Sequence, residues 1–146
     1  MAVAPSRDTA RASVRSTCKD VFTTPGAFSW SELVTPDPES AKIFYSKLFG
    51  WSTRDRETSN GKYTTCQVGE QSVAGIMRTP ADAPSMPPAW GCYVTVKDVD
   101  ATLALAASLG GRTIMPPTAV PGVGRMAVLQ DPQGAVLSII TYATPG

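Results

Sequence analysis

Residues 27–34, AFSWSELV, alternate apolar and polar side chains, which predicts a strand with Phe28, Trp30 and Glu32 on one face. The period then changes. Asp37 suits an N-cap, Pro38 the first helical position and Glu39 the positive end of a helix dipole. Ala41, Phe44, Tyr45 and Leu48 follow at i, i+3, i+4 and i+7, so the spacing predicts a helix that turns this stripe, Phe44 and Tyr45 included, into the core and stops at Gly50. Trp51–Glu57, Lys62–Val68 and Ser72–Arg78 read as strands, separated by the turn signals Ser59-Asn60-Gly61 and Gly69-Glu70.

Residues 79–88, TPADAPSMPP, hold four prolines and predict an extended connector. Beyond it the order repeats. Trp90–Val96 reads as a strand, Asp98 caps a helix that sends Val99, Leu103, Ala106 and Ala107 inward, and Gly110-Gly111 ends it. Arg112–Met115, Gly124–Gln130 and Ala135–Tyr142 read as strands, the last two joined by a tight Asp131-Pro132-Gln133-Gly134 turn. Asp37 to Gly50 and Asp98 to Gly111 each span thirteen positions, so the halves superpose at an offset of 61 that sets Trp30 on Gly91 and Glu32 on Tyr93. The expected fold is α+β: two tandem βαβββ modules, residues 27–78 and 89–146, in one structural domain. Their mixed sheet is expected to curl around a cup-shaped cavity, with the helices outside. Residues 1–26 predict a flexible or partly helical extension, since Ala10, Val14, Cys18 and Phe22 recur every four positions across a possible helix from Ser6 to Asp20.

Composition narrows the chemistry. Thirteen basic and twelve acidic residues leave a charge of +1, which gives no nucleic-acid footprint. Cys18, Cys66 and Cys92 are odd in number and widely spaced, so they predict neither a disulfide framework nor a thiolate zinc site and fit a reducing cytoplasm. Cys66 and Cys92 read as small strand packers. No apolar run approaches the roughly 18 residues of a membrane span, and the N-terminus lacks the apolar segment of a secretory signal. The chain has no histidine, which removes Ser-His-Asp and Cys-His catalysis and the commonest nitrogen ligand for zinc or iron.

The segments SELVTPDPESAKIFYSKLFGW, YVTVKDVDATLALAASLGG and PGVGRMAVLQDPQGAVLSII resemble, in order and spacing, the vicinal oxygen chelate superfamily of glyoxalases, bleomycin-resistance proteins and extradiol dioxygenases. The resemblance covers nearly all of Phe28 to Tyr142 and implies the same paired-module fold, a small-molecule ligand and often a homodimer. Metal-dependent members carry His, Gln or Glu ligands on four strands. Carried over place by place, these fall near Trp30, at Gly75 within VAGIM, at Gly91 and at Ser138. None of the four is a competent ligand for a divalent metal, so the resemblance implies the fold without the namesake metal chemistry, and no cofactor is expected.

Strand alternation then lines the expected cup with Phe28, Trp30, Glu32, Gly75, Met77, Gly91, Tyr93, Thr95, Ser138, Ile140 and Tyr142, with the two glycines leaving room for a flat organic molecule. Glu32 is the candidate general acid or base, with Tyr93 or Ser138 donating to a developing oxyanion. The opposing expectation is that Glu32 pairs with a basic residue such as Arg125 and braces the sheet. Arg125 is also a candidate for binding an anionic ligand at the cup mouth, while Arg54, Arg56 and Lys62 read as a solvated face. Two functions stay open: a metal-independent isomerase, lyase or cyclase acting on an aromatic or polyketide-like compound in secondary metabolism, and a non-catalytic protein that sequesters a drug or metabolite.

Overall fold

A computed structural model describes residues 20–59, 61–83 and 85–143. The helix expected from Ser6 lies outside them. The chain runs β1 (Phe28–Thr35), α1 (Pro38–Phe49), β2 (Ser52–Thr58), β3 (Gly61–Val68), β4 (Gln71–Arg78), β5 (Ala89–Thr95), α2 (Val99–Ser108), β6 (Arg112–Val120), β7 (Gly124–Gln130) and β8 (Val136–Tyr142). This is the βαβββ order twice, and the fold class is α+β. The helix signals act as read from the sequence. Asp37 accepts from the backbone N–H of Ser40 at 3.1 Å and from its hydroxyl at 2.7 Å, and Asp98 accepts from the N–H of Ala101 at 3.0 Å. Gly50 closes α1 at φ 73°, in the left-handed region. Among the described residues no helix is long and apolar enough to cross a membrane.

The chain divides into two compact units. The central unit, Trp30–Tyr93, orders its strands β2-β3-β4-β1-β5. β1 runs parallel to β4 with Glu32 opposite Gly75, and β3 is antiparallel to both β2 and β4, with a register shift at Cys66/Gln67. One face carries the core of Leu33, Cys66, Ala74 and Ile76, against which Ala41, Tyr45, Trp51 and Val73 pack.

The contacting side of α1 differs from the stripe expected. Phe44 and Leu48 are 58% and 57% exposed, while Pro38 is buried and Ala41 and Tyr45 face the core. Lys42 explains the rotation. Its ammonium reaches Asp55 on β2 at 2.9 Å and is largely covered there, which rolls the helix so that Pro38, Ala41, Lys42 and Tyr45 meet the sheet and Phe44 swings outward.

The flanking unit, residues 20–29 and 94–143 of those described, orders β8, β7 and β6 as an antiparallel set, Val128 opposite Ser138 and Met126 opposite Ile140. The end of β5 joins it. Thr95 donates its N–H to Ala27 at 2.9 Å and accepts from Gly26 at 2.8 Å, and Val96 donates to Ile140 at 2.9 Å. Val99 and Leu103 of α2 pack on Ala127 and Ile139, bordered by Val96 and Leu129. β6 continues to Val120, past the expected end at Met115 and through Pro116 and Pro117. The prolines are tolerated because β6 is an edge strand whose register shifts on both sides of Met115. The β7–β8 turn forms around Asp131, whose carboxylate accepts from the N–H groups of Gln133 and Ala135, both at 2.9 Å.

Candidate functional site

On the face of the central sheet opposite its core, β1 presents Trp30 and Glu32. Glu32 is only partly exposed and lies beside Gly75 of β4. From β3, Tyr63 crosses over Gly75 and donates its hydroxyl to Glu32 Oε2 at 2.8 Å. From β5, Tyr93 donates to Oε1, also at 2.8 Å. Trp30 donates its indole N–H to the Tyr63 oxygen at 2.9 Å. The result is a directed chain, because an indole N–H only donates: Trp30 to Tyr63, Tyr63 to Glu32, and Tyr93 to the second carboxylate oxygen. The pair Glu32 and Tyr93 are also partners in the internal repeat, 61 positions apart.

Burial pushes the Glu32 carboxyl above the ordinary carboxylate range, and the two phenols that favour its charged form offset this only in part. Burial, with the facing carboxylate, drives the Tyr63 phenol far above its usual value, so it remains a neutral donor. Arg125, the basic residue named in the opposing expectation, is engaged within its own unit. The Arg125 guanidinium makes two 2.9 Å bonds to the Asp100 carboxylate at the surface. It is therefore engaged with Asp100, with both side chains open to solvent.

Gly75 also departs from expectation. A side chain there would coincide with the Tyr63 hydroxyl, so the room left by the missing ligand is filled by a ring from the neighbouring strand. Gly91 is different: a Cβ built on it meets only the Glu32 backbone carbonyl, at 4.0 Å, and space remains. Tyr63 was not singled out from the sequence, since only strands carrying the superfamily's ligand places were compared and β3 carries none. Its signal is the alternation Tyr63, Thr65, Gln67 on the strand next to Gly75.

Trp30, Glu32, Gly75, Met77, Gly91 and Tyr93 thus belong to the central unit, and Met77 stands opposite both Val34 and Tyr63. Phe28, Thr95, Arg125, Ser138, Ile140 and Tyr142 belong to the flanking unit. There Phe28 is 65% exposed, Ile140 is buried, and Ser138 is half-buried opposite Val128. The Thr95 hydroxyl donates to the Val21 carbonyl at 2.6 Å. The Tyr142 hydroxyl bonds that of Ser29 at 2.8 Å, and its ring meets Phe22 edge-on. Cys66 is buried with its thiol pushed up by burial, an inert packer, whereas Cys92 is exposed, contrary to the packing expected of it.

The residues do not fit a divalent metal ion. Two of the four expected ligand places are glycines, one of them filled by a phenol ring, and both Glu32 oxygens already accept hydrogen bonds. Among the described residues no three His, Cys, Asp or Glu side chains gather in one place.

A Mycobacterium tuberculosis protein named "Putative glyoxylase CFP32" is 40% identical over 119 residues, 81% of this chain and 45% of that protein. "Anthracycline biosynthesis protein DnrV" of Streptomyces peucetius is 36% identical over 128 residues, 79% of this chain and 46% of that protein. The chain therefore spans about half the length of the curated relatives it matches. The crystal structure of methylmalonyl-CoA epimerase from Mycobacterium tuberculosis superposes with a TM-score of 0.62 over 83% of this chain and 91% of that one, at 14% identity, a likeness of fold. Residues 27–139 match a family profile over most of the chain, and the protein belongs to the Glyoxalase/Bleomycin resistance protein/Dioxygenase superfamily.

Proposed function

We propose that this chain is a metal-independent member of its superfamily that binds a neutral, flat, hydroxylated organic molecule and moves a proton on it with Glu32. The observation that carries the reading is the Glu32 carboxyl, held by two phenols with its proton affinity raised by burial. A carboxyl whose proton affinity is raised in this way is suited to general acid and base work. In the step proposed, the Glu32 carboxylate takes a proton from an acidic C–H of the ligand, the bonding pair stays on the ligand as an enolate, and the new carboxyl returns the proton at another atom. Net isomerisation, elimination or ring closure follows from where the proton returns.

The same site argues for a neutral ligand. Burial and the two phenols dominate the titration of Glu32, and among the described residues no cation shifts it, so an anionic ligand would meet the carboxylate without a counter-charge from them. The space beside Gly91 is where a flat ring would enter. The name of the Streptomyces relative, an anthracycline biosynthesis protein, supports an aromatic polyketide-like compound. A second reading, sequestration without turnover, keeps the same ligand and drops the proton transfer.

The test uses a neutral hydroxyanthraquinone as probe, with binding followed by tryptophan fluorescence and conversion by chromatography. Glu32→Gln should bind within a few-fold of the unaltered chain and lose conversion by about 10²–10⁴-fold. Undiminished binding with no conversion by either protein selects sequestration. Preference for a carboxylated analogue over the neutral probe sinks both. Native mass spectrometry of the fresh protein reports the assembly at the same time, and a homodimer with one co-purified molecule per chain is the expected mass.

A further inference from the structure

We propose that Gly91 is the specificity residue of this site: its missing side chain bares the β5 backbone, so that a planar ring, and not a puckered one, lies against it. The proposal rests on the reading of a neutral, flat ligand beside Glu32 and adds what makes the site choose one.

Glycine inside a strand weakens it, because the unfolded chain gains freedom and the strand loses a packing group. Its presence there has three ordinary causes: a backbone angle that glycine favours, a neighbour in the place of a Cβ, or close approach of a ligand. Eight glycines of the described residues take a positive φ, which explains them. At Gly75 a Cβ would coincide with the Tyr63 hydroxyl, and at Gly111 it would stand 2.9 Å from the Gln130 carbonyl oxygen. Among the described glycines Gly91 alone has neither reason. Its φ is not positive, and the nearest atom to an added Cβ is the Glu32 carbonyl oxygen at 4.0 Å, an ordinary contact. The third cause remains.

The internal repeat leads to the same point independently. At the offset of 61, Gly91 falls on Trp30, so the matching strand place in the first module carries an indole. The framework admits the largest of side chains at this place, and glycine is no requirement of the strand.

Position gives the bare backbone its use. Tyr93, two residues on, shares the face of Gly91 by strand alternation and donates to Glu32 Oε1 at 2.8 Å. Gly91 is exposed and lies beside the main chain of Glu32. A ring resting there is about 7 Å along the strand from the phenol that holds the carboxyl. Carbon atoms attract best at about 3.5–4.0 Å. An aromatic face can keep all its atoms at that height over bare peptide, whereas the axial hydrogens of a saturated ring prop it further off. A Cβ at position 91 would prop up either ring from the protein's side.

The test follows two neutral probes by tryptophan fluorescence on the 146-residue chain, a hydroxyanthraquinone and its tetrahydro analogue with one ring saturated, alongside unfolding in urea. The unaltered chain should bind the planar probe roughly tenfold more tightly than the saturated one. Gly91→Ala should weaken the planar probe about tenfold and Gly91→Val further, with little change for the saturated probe, so that the preference disappears. The urea midpoint should hold or rise in both variants, since alanine and valine suit a strand better than glycine does. Equal affinity of all three chains for the planar probe overturns the proposal and leaves the flat-ligand reading standing. A midpoint that falls together with affinity also overturns it, because glycine would then serve the fold. Failure of the unaltered chain to bind either probe removes the flat-ligand reading and the proposal with it. None of these readouts requires turnover, so the proton-transfer reading stands or falls separately, on conversion by Glu32→Gln.

Discussion

The two units share one plan and spend it differently. Each lays a helix over a sheet, starts that helix with an aspartate cap and buries a small apolar cluster beneath it. In the flanking unit the helix commits its large residues: Val99 and Leu103 are buried against Ala127 and Ile139. In the central unit every buried member of the cluster comes from a strand, and α1 offers only Ala41 and Tyr45, partly covered. The polar groups diverge further. The flanking unit satisfies its hydroxyls in neutral pairs such as Ser29 with Tyr142, while the central unit places a carboxyl among three aromatic side chains. An internal repeat fixes a framework; the chemistry is set by a few alternate strand positions that the framework leaves free.

The largest effects expected are in the two cores. Ile76 is fully buried in the central unit and Ile139 nearly so in the flanking unit. Truncating either to alanine should cost about 2–5 kcal/mol, the transfer loss plus a cavity. The lids decide the order. Ala41 and Tyr45 over Ile76 are only partly buried, so water can reach part of the gap, whereas Val99 and Leu103 are buried and seal Ile139 off. Ile139→Ala should therefore show the lower urea midpoint, and a reversed order would mean that α1 is the more rigid cover.

This division was only partly legible in the sequence. Element order, both helix caps and the Asp131 turn were readable because they rest on local chemistry, a carboxylate within reach of the next free N–H groups. The roll of α1 was not, because periodicity locates an apolar stripe but cannot weigh it against an ion pair to another strand, and Lys42 with Asp55 decided the outcome. The end of β6 was missed because prolines argue against a strand until its edge position is known. At the site, Trp30 and Glu32 followed from alternation, and the link from Glu32 to Tyr93 runs between repeat partners. Tyr63 did not follow, because the alternation of its strand gives it a face but does not say that its ring reaches across a glycine of the neighbouring strand.

A smaller effect should separate the units by pH. The folded value of Glu32 lies above its unfolded value near 4.5, so the folded chain holds a proton that the unfolded chain has released. Glu32 then favours folding most at low pH. That support is withdrawn as pH rises from about the ordinary carboxylate value through the raised folded one, and is constant above it. Asp100, exposed and held low by Arg125, has the opposite sign: its contribution is present above its ordinary value and is lost on acidification. Urea midpoints measured between pH 4 and 8 should fall with rising pH in the unaltered chain and fall less in Glu32→Gln. An identical slope in both would show that Glu32 is not the buried acid.

The smallest effect expected is at Arg125, and it is the sharpest check on the contrast between a carboxyl buried among aromatic rings in the central unit and an ion pair left at the surface of the flanking one. Its two bonds to Asp100 have good geometry, but both side chains are roughly half exposed, where water solvates each charge nearly as well as its partner does. Holding two long side chains together also costs rotamer freedom, so the net gain from such a pair is close to nothing. Arg125→Ala should leave the urea midpoint within error at neutral pH. It should also leave affinity for the neutral probe unchanged, because the guanidinium is occupied by Asp100 and the ligand inferred for the central site has no charge to offer it. A marked loss of affinity would mean that Arg125 leaves Asp100 to meet the ligand, which would give the flanking unit a charged part in recognition and end the division drawn between the two.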